Sequence, residues 1–187
     1  MIVIPPATLS ALGARLSATP RSNDALDAVV DGMPVEVRFV LRSSGSSSSK
    51  WTEIGVKSEH IQGFAFTFNF DVREATRGDA ADVREGRLRD LVVGDGAFDE
   101  AFVVEAAPAD VARLMFDETA RAEMLALRPL RVISTKVYAV MIERLDWIED
   151  VDLLERLVKL TVRIAATETA RSRTTRSAPS GTPTSQR

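Results

Sequence analysis

The chain has 187 residues, 45% of them hydrophobic and 27% charged, with a formal net charge of -3; this is the balance of an ordinary globular domain, not of a disordered or membrane-embedded chain. A net negative charge argues against a phosphate-binding body, because non-specific attraction to polyanions needs a basic field, so no nucleic-acid partner is expected. The absence of cysteine excludes disulfides, Cys-ligated zinc, iron–sulfur clusters and thiol nucleophiles together.

The opening MIVIPPATLS has no Lys or Arg before its apolar run, and Pro5-Pro6 interrupt it, which is not the pattern of a signal peptide. No stretch reaches the about 18 unbroken apolar residues that read as a spanning helix, so a soluble, cytoplasmic chain without a membrane partner is expected. Leu9, Leu12 and Leu16 fall at spacings of three and four, one face of a short helix over residues 7–17. Asp31-Gly32 and Pro34 then punctuate two extended runs. In the second, Val35, Val37, Phe39 and Leu41 alternate with Glu36, Arg38, Val40 and Arg42, the period of two of a strand with one buried face.

SSGSSSS at 43–49 reads as a flexible polar loop, too long for a tight hairpin. The partner strand that follows puts Thr52, Ile54 and Val56 on one face. GFAFTFNF sets Phe64, Phe66, Phe68 and Phe70 on one side of a further strand, an aromatic wall expected to face the core. Stacking platforms mix basic residues among their rings, and this run has none. Residues 73–90 alternate arginines with acids and read as a solvated connection with a turn of helix. Pro108 and Asp117 are placed to open two short helices. PLRVISTK and VYAVMIERL are rich in β-branched residues and read as strands. Beyond Asp150, Leu154, Leu157, Val158, Thr161, Ile164 and Ala165 form one helical face, with acid-to-base pairs Asp152/Arg156 and Glu155/Lys159 at i, i+4. The helix is expected to end near Ala170. The Arg/Ser/Thr/Pro segment 171–187, with Arg171, Arg173, Arg176 and Arg187, holds too little apolar surface to offset its ordering entropy and is expected to be disordered.

The stretch VVGDGAFDEAFVVEAAP, residues 92–108, gathers Asp95, Asp99 and Glu105 among glycines and phenylalanines. A divalent ion needs several oxygens converging on one point. In an extended run Asp99 and Glu105 would stand about 20 Å apart, and the calcium-loop spacing is not met. Gly94-Asp95-Gly96 suits a backbone reversal, with Phe98, Phe102 and Val104 directed inward, so these acids are expected to be turn, cap and solvent-facing groups. The alternative is a metal-assisted, hydrolase-like enzyme using Asp95 and Asp99. His60 is the single histidine; Ser58 and Glu59 precede it, but adjacency is not triad geometry and no G-x-S-x-G elbow occurs. Walker, G-x-G-x-x-G and H-E-x-x-H patterns are missing as well. No catalytic, metal-binding or cofactor-binding residue is therefore assigned, and no cofactor is expected.

Gly94, Asp95, Phe98, Asp99, Phe102 and Val104 carry the pattern G-D-x-x-F-D-x-x-F-x-V before a helical stretch. In this the chain resembles a loose group of uncharacterised bacterial proteins. The likeness extends over residues 26–170, and some members of the group look membrane-tethered, a tether not expected here. It implies a shape, not an activity. The expected architecture is a single α+β domain over residues 1–170, a mostly antiparallel sheet packed against the 108–127 and 150–170 helices. The expected role is that of a non-enzymatic accessory or protein-interaction domain, with an unknown protein partner or a second copy of itself.

Overall fold

The structure, a computed structural model, describes residues 6–60, 69–107 and 109–176. Helix α1 (Pro6–Leu16) forms where leucines recur at three and four, and it buries Leu9 and Leu12 completely. Gly13 is required by close approach: a Cβ there would lie 2.6 Å from the Ala18 carbonyl oxygen, which belongs to the chain as it doubles back.

Four strands follow as successive hairpins, β1 (Pro20–Ser22), β2 (Ala25–Val30), β3 (Met33–Ser44) and β4 (Ser47–Lys57). Asp31 and Gly32 join β2 to β3 with φ of 51° and 76°, both in the left-handed region, as a two-residue type I′ turn demands. The expected loop at 43–49 is instead a second tight hairpin, paired down to Ser44 and Ser47. Gly45 makes it possible by taking φ 59°, and the Ser47 hydroxyl donates to the Ser44 carbonyl at 3.0 Å. Serine composition suggested a loop, but serine also fits a ladder when a glycine supplies the reversal. Leu41, expected inside, is 43% exposed. Residues 40–44 include no buried side chain, so the twelve-residue strand outruns the layer that covers Val35, Val37 and Phe39.

After a 3-10 turn at Ser58–His60 comes β5 (Asn69–Glu74), then α2 (Asp79–Arg84), α3 (Gly96–Ala101), β6 (Phe102–Ala107), α4 (Ala109–Met115), α5 (Glu118–Ala126), β7 (Arg131–Ile133), β8 (Tyr138–Leu145) and α6 (Val151–Arg176). Of the expected phenylalanine wall, Phe64, Phe66 and Phe68 lie outside the described residues. Phe70 is buried and meets the Phe116 ring edge-on at 5.7 Å. Asp117 caps α5 by accepting from the Ala120 amide at 2.8 Å. Helix α6 continues six residues past its expected end. No glycine or proline follows Ala170 until Pro179, and a helix already nucleated propagates through such residues without needing an apolar stripe. The rest of the expected tail, 177–187, lies outside the described residues.

The eight strands form one sheet in the order β1-β2-β3-β4-β8-β7-β5-β6, antiparallel at every pair. The fold is therefore α+β, as the alternation and helix patterns predict. One face carries Val35, Val37, Phe39, Ile54, Val56, Val72, Val132, Val140 and Ile142, all buried. Helix α6 runs across β3, β4 and β8 on that side, contributing Leu154, Leu157, Val158 and Ile164. Each such side chain removed from water contributes about 1.5–3 kcal/mol. Among the described residues no helix is long and apolar enough to cross a membrane.

Candidate functional site

Gly94 takes φ 91°, and this single left-handed residue turns three successive backbone amides toward one carboxylate. Asp99 accepts from Val93 at 2.9 Å and from Gly94 and Asp95 at 3.1 Å each. Asp95 caps α3 by accepting from the Phe98 amide at 3.2 Å, while its other oxygen takes the Arg121 guanidinium at 3.2 Å. All four oxygens of this pair are thus occupied by the protein itself. The Phe98 amide, with Arg121 beside it, holds the Asp95 carboxyl below its ordinary range.

The segment 96–101 was expected as a reversal running into an extended strand, and it is a helical turn. The physical reason is the cap: an Asp before the turn and Asp99 within it both favour a helix N-terminus. Phe98 and Phe102 reach the core together through helical spacing, not strand alternation, their rings 4.8 Å apart and both fully buried. Val104 is buried on β6. Its amide donates to Asp90 at 2.9 Å and its carbonyl accepts from Leu91 at 2.8 Å, so residues 90–91 cover this point of the sheet margin. Glu105 pairs in register with Asp71 on β5. Among the described residues no group of three or more His, Asp or Glu is placed to hold a metal ion. His60 closes the 3-10 turn, and the buried Ser58 hydroxyl faces the Lys136 carbonyl at 3.4 Å.

The polar organisation lies on the sheet face opposite α6. The register aligns Arg38, Glu53, Glu143 and Arg131 across β3, β4, β8 and β7. Glu36, Glu53 and Glu143 are 7%, 5% and 3% exposed, although a strand's polar positions are ordinarily solvated. Arginines cover them. Glu53 binds Arg38 and Arg42, Glu143 binds Arg42, and Arg131 reaches Glu143 at 3.5 Å while holding Asp71. Glu36 takes Arg21 at 2.5 Å and the Tyr138 hydroxyl. Burial pushes the Glu36 carboxyl up, but those two donors, with Lys57 and Arg38 nearby, outweigh it and leave the group below the usual range. Burial, joined by Glu36, pushes the Tyr138 hydroxyl up.

Aromatic rings lie beside the guanidinium groups. Arg42 lies 4.6 Å from the Trp51 ring centre and Arg38 lies 5.4 Å from that of Tyr138. Tyr138 can cross β4 only because residue 55 is glycine: a Cβ there would meet the ring at 2.5 Å. Beside Glu36 a groove of about 500 Å³ is lined by Leu16, Val29, Pro34, Gly55 and Lys57 among others. No protein-family model matches the chain, and no curated protein matches it.

Within the motif, Gly94, Asp95 and Asp99 organise the backbone at the start of α3, while Phe98, Phe102 and Val104 are buried. On the charged face, the joining of these arginines to buried glutamates was not foreseen. Alternation assigns Glu36, Arg38 and Arg42 to one side of a strand, yet only the register shows that Glu53 and Glu143 stand opposite each other beneath the arginines. A pattern of arginines on one predicted strand and glutamates on the next was the available signal.

Proposed function

We propose that the chain is a non-enzymatic protein-interaction domain whose recognition surface is the arginine-covered face of the sheet. The observation that carries this reading is the pairing of Arg38 with Tyr138 and Arg42 with Trp51 over glutamates that fix the guanidinium groups in place. Arg, Trp and Tyr are the residues that dominate protein-binding energies, and side chains already ordered before contact lose less entropy on binding. Leu145, 58% exposed and paired with Trp51 on the same face, adds apolar surface at its rim. The bonding of Asp95 and Asp99 supports a structural role for them over a metal-assisted reaction, since a metal would have to displace backbone amides and Arg121.

Two measurements test the reading. Affinity capture with the full chain, quantified by mass spectrometry, is compared with a Leu145→Glu variant, which alters an exposed position and leaves the core intact. Loss of the captured partner in the variant is expected; an unchanged set of partners counts against this face. The double variant Asp95→Ala/Asp99→Ala is then titrated with magnesium and melted. Reduced stability without a change in ion binding is expected, whereas a stable fold that loses an ion bound by the native chain favours the enzyme.

A further inference from the structure

The arginine-covered face is layered by depth. Glu53 and Glu143 are buried, while the Arg38 and Arg42 side chains above them are 35% and 38% exposed, so the charge these four residues present to water is positive. The two guanidinium groups share one carboxylate. Arg38 takes one Glu53 oxygen and Arg42 the other, each through Nη2, and the same Arg42 nitrogen also reaches Glu143. A guanidinium carries five N–H donors. Among the described residues no acceptor meets Nε or Nη1 of Arg42, nor Nη1 of Arg38, so both keep donors for a group from outside. An apolar row lies beside them, because the register sets Val40, Trp51 and Leu145 next to one another across β3, β4 and β8. Arg38, Glu53 and Glu143 form the neighbouring row, two residues along each strand, a step of about 6.6 Å.

We infer, resting on the reading of this face as the recognition surface, that its partner is an acidic polypeptide segment which sets a carboxylate beside an apolar side chain. In an extended chain residues i and i+2 point to one side, about 6.6 Å apart, and this matches the step from the Leu145 row to the Arg38 row. An apolar residue then covers Leu145 and Trp51 while an acid two positions away accepts from Arg38 or Arg42. Hydrogen bonds between ionised groups are the strong kind, and Glu53 already orders both donors. A phosphate polymer suits the face less well. The chain as a whole is net negative and repels a long polyanion, whereas a short segment in contact responds to charges within a Debye length, about 8–10 Å.

The full chain is titrated with a labelled Glu-Thr-Leu-Thr-Glu peptide and with its Gln-Thr-Leu-Thr-Gln counterpart, threonine being chosen because it favours the extended form. The acidic peptide is expected to bind about tenfold tighter, the amount that two exposed ion pairs supply, and an oligothymidylate of similar length no tighter than the neutral peptide. Equal affinity for the two peptides, binding of neither at millimolar concentration, or tighter binding of the oligonucleotide overturns the inference. Charge at the exposed Leu145 gives a second readout. Affinity for the acidic peptide is expected to fall about threefold at each step from Leu145→Lys to Leu145→Gln to Leu145→Glu; no trend, or the reverse one, removes the acidic partner. Partner capture with the same variants separates this inference from the reading beneath it. Equal loss of partner in Leu145→Lys and Leu145→Glu leaves the face and removes the acidic chemistry, whereas no change in either removes both. Should the variants fail to fold, the peptide pair on the native chain decides alone.

Discussion

Gly55 illustrates how one missing side chain organises a surface. The Tyr138 ring occupies the space where a Cβ would stand, and from there its hydroxyl reaches Glu36 two strands away from its own. Gly55→Ala must push the ring off β4 and leave Glu36 without one of its donors. Overpacking of this kind costs about 1–3 kcal/mol, to be measured as a shift in the urea midpoint. Combined with Tyr138→Phe the loss should be less than additive, because both changes break one contact; full additivity would mean that the ring does not couple the two sites. Asp99→Ala removes an acceptor from three amides. Bonds to a charged group contribute about 1.5–3 kcal/mol, and a loss in that range is expected in the same assay. Asp95 adds a pH signature. The Phe98 amide first, and Arg121 second, hold its folded carboxyl below the ordinary value, so its stabilisation is complete above the unfolded value of about 3.9 and fades as pH falls through the folded one. The difference in melting temperature between the native chain and Asp95→Asn should therefore close below about pH 4; a gap of constant size would disprove the assignment.

Helix α5 is set by the cap that precedes it. Asp117 accepts from the Ala120 amide and also receives Arg163 from α6 at 2.8 Å, so one carboxylate both starts a helix and fastens it to its neighbour. Asp117→Ala is expected to cost about 0.5–2 kcal/mol, read from thermal melts, with Asp117→Asn recovering the capping part and not the link to Arg163. Caps and apolar spacing made α1, α5 and the start of α6 legible in the sequence. Elements decided by other forces were not. The β3–β4 hairpin follows from Gly45 and the tendency of two paired strands to keep pairing, which serine-rich composition hides. The helical turn at 96–101 follows from two aspartates acting on amides, where the eye meets alternating phenylalanines.

Across the molecule, the division of the sheet into a helix-covered face and a charged face was legible from alternation in β3 and β4. The burial of the glutamates on the charged face was not, because it depends on strands far apart in sequence: Arg42 and Glu143 meet over 101 residues. The same separation makes Asp95 and Asp99 conspicuous in the sequence and the glutamates inconspicuous. Local acids are visible in a sequence, whereas acids assembled by register are visible only once strand order is known. At this scale the expectation is that high salt weakens partner capture through the exposed outer arginines more than it lowers the melting temperature, since buried pairs are screened less than exposed ones; parallel loss of both would place the ion pairs in the core's stability instead.

The two margins of the sheet are unequal. On β6 the Phe102 amide is used by the Phe98 carbonyl and both groups of Val104 are used by residues 90–91, while at the other end the three-residue β1 registers with β2 at Ala25 and Leu26. Residues 90–91 thus lie where an incoming strand would have to bond the middle of β6, and they deny that stretch of the edge to strand addition.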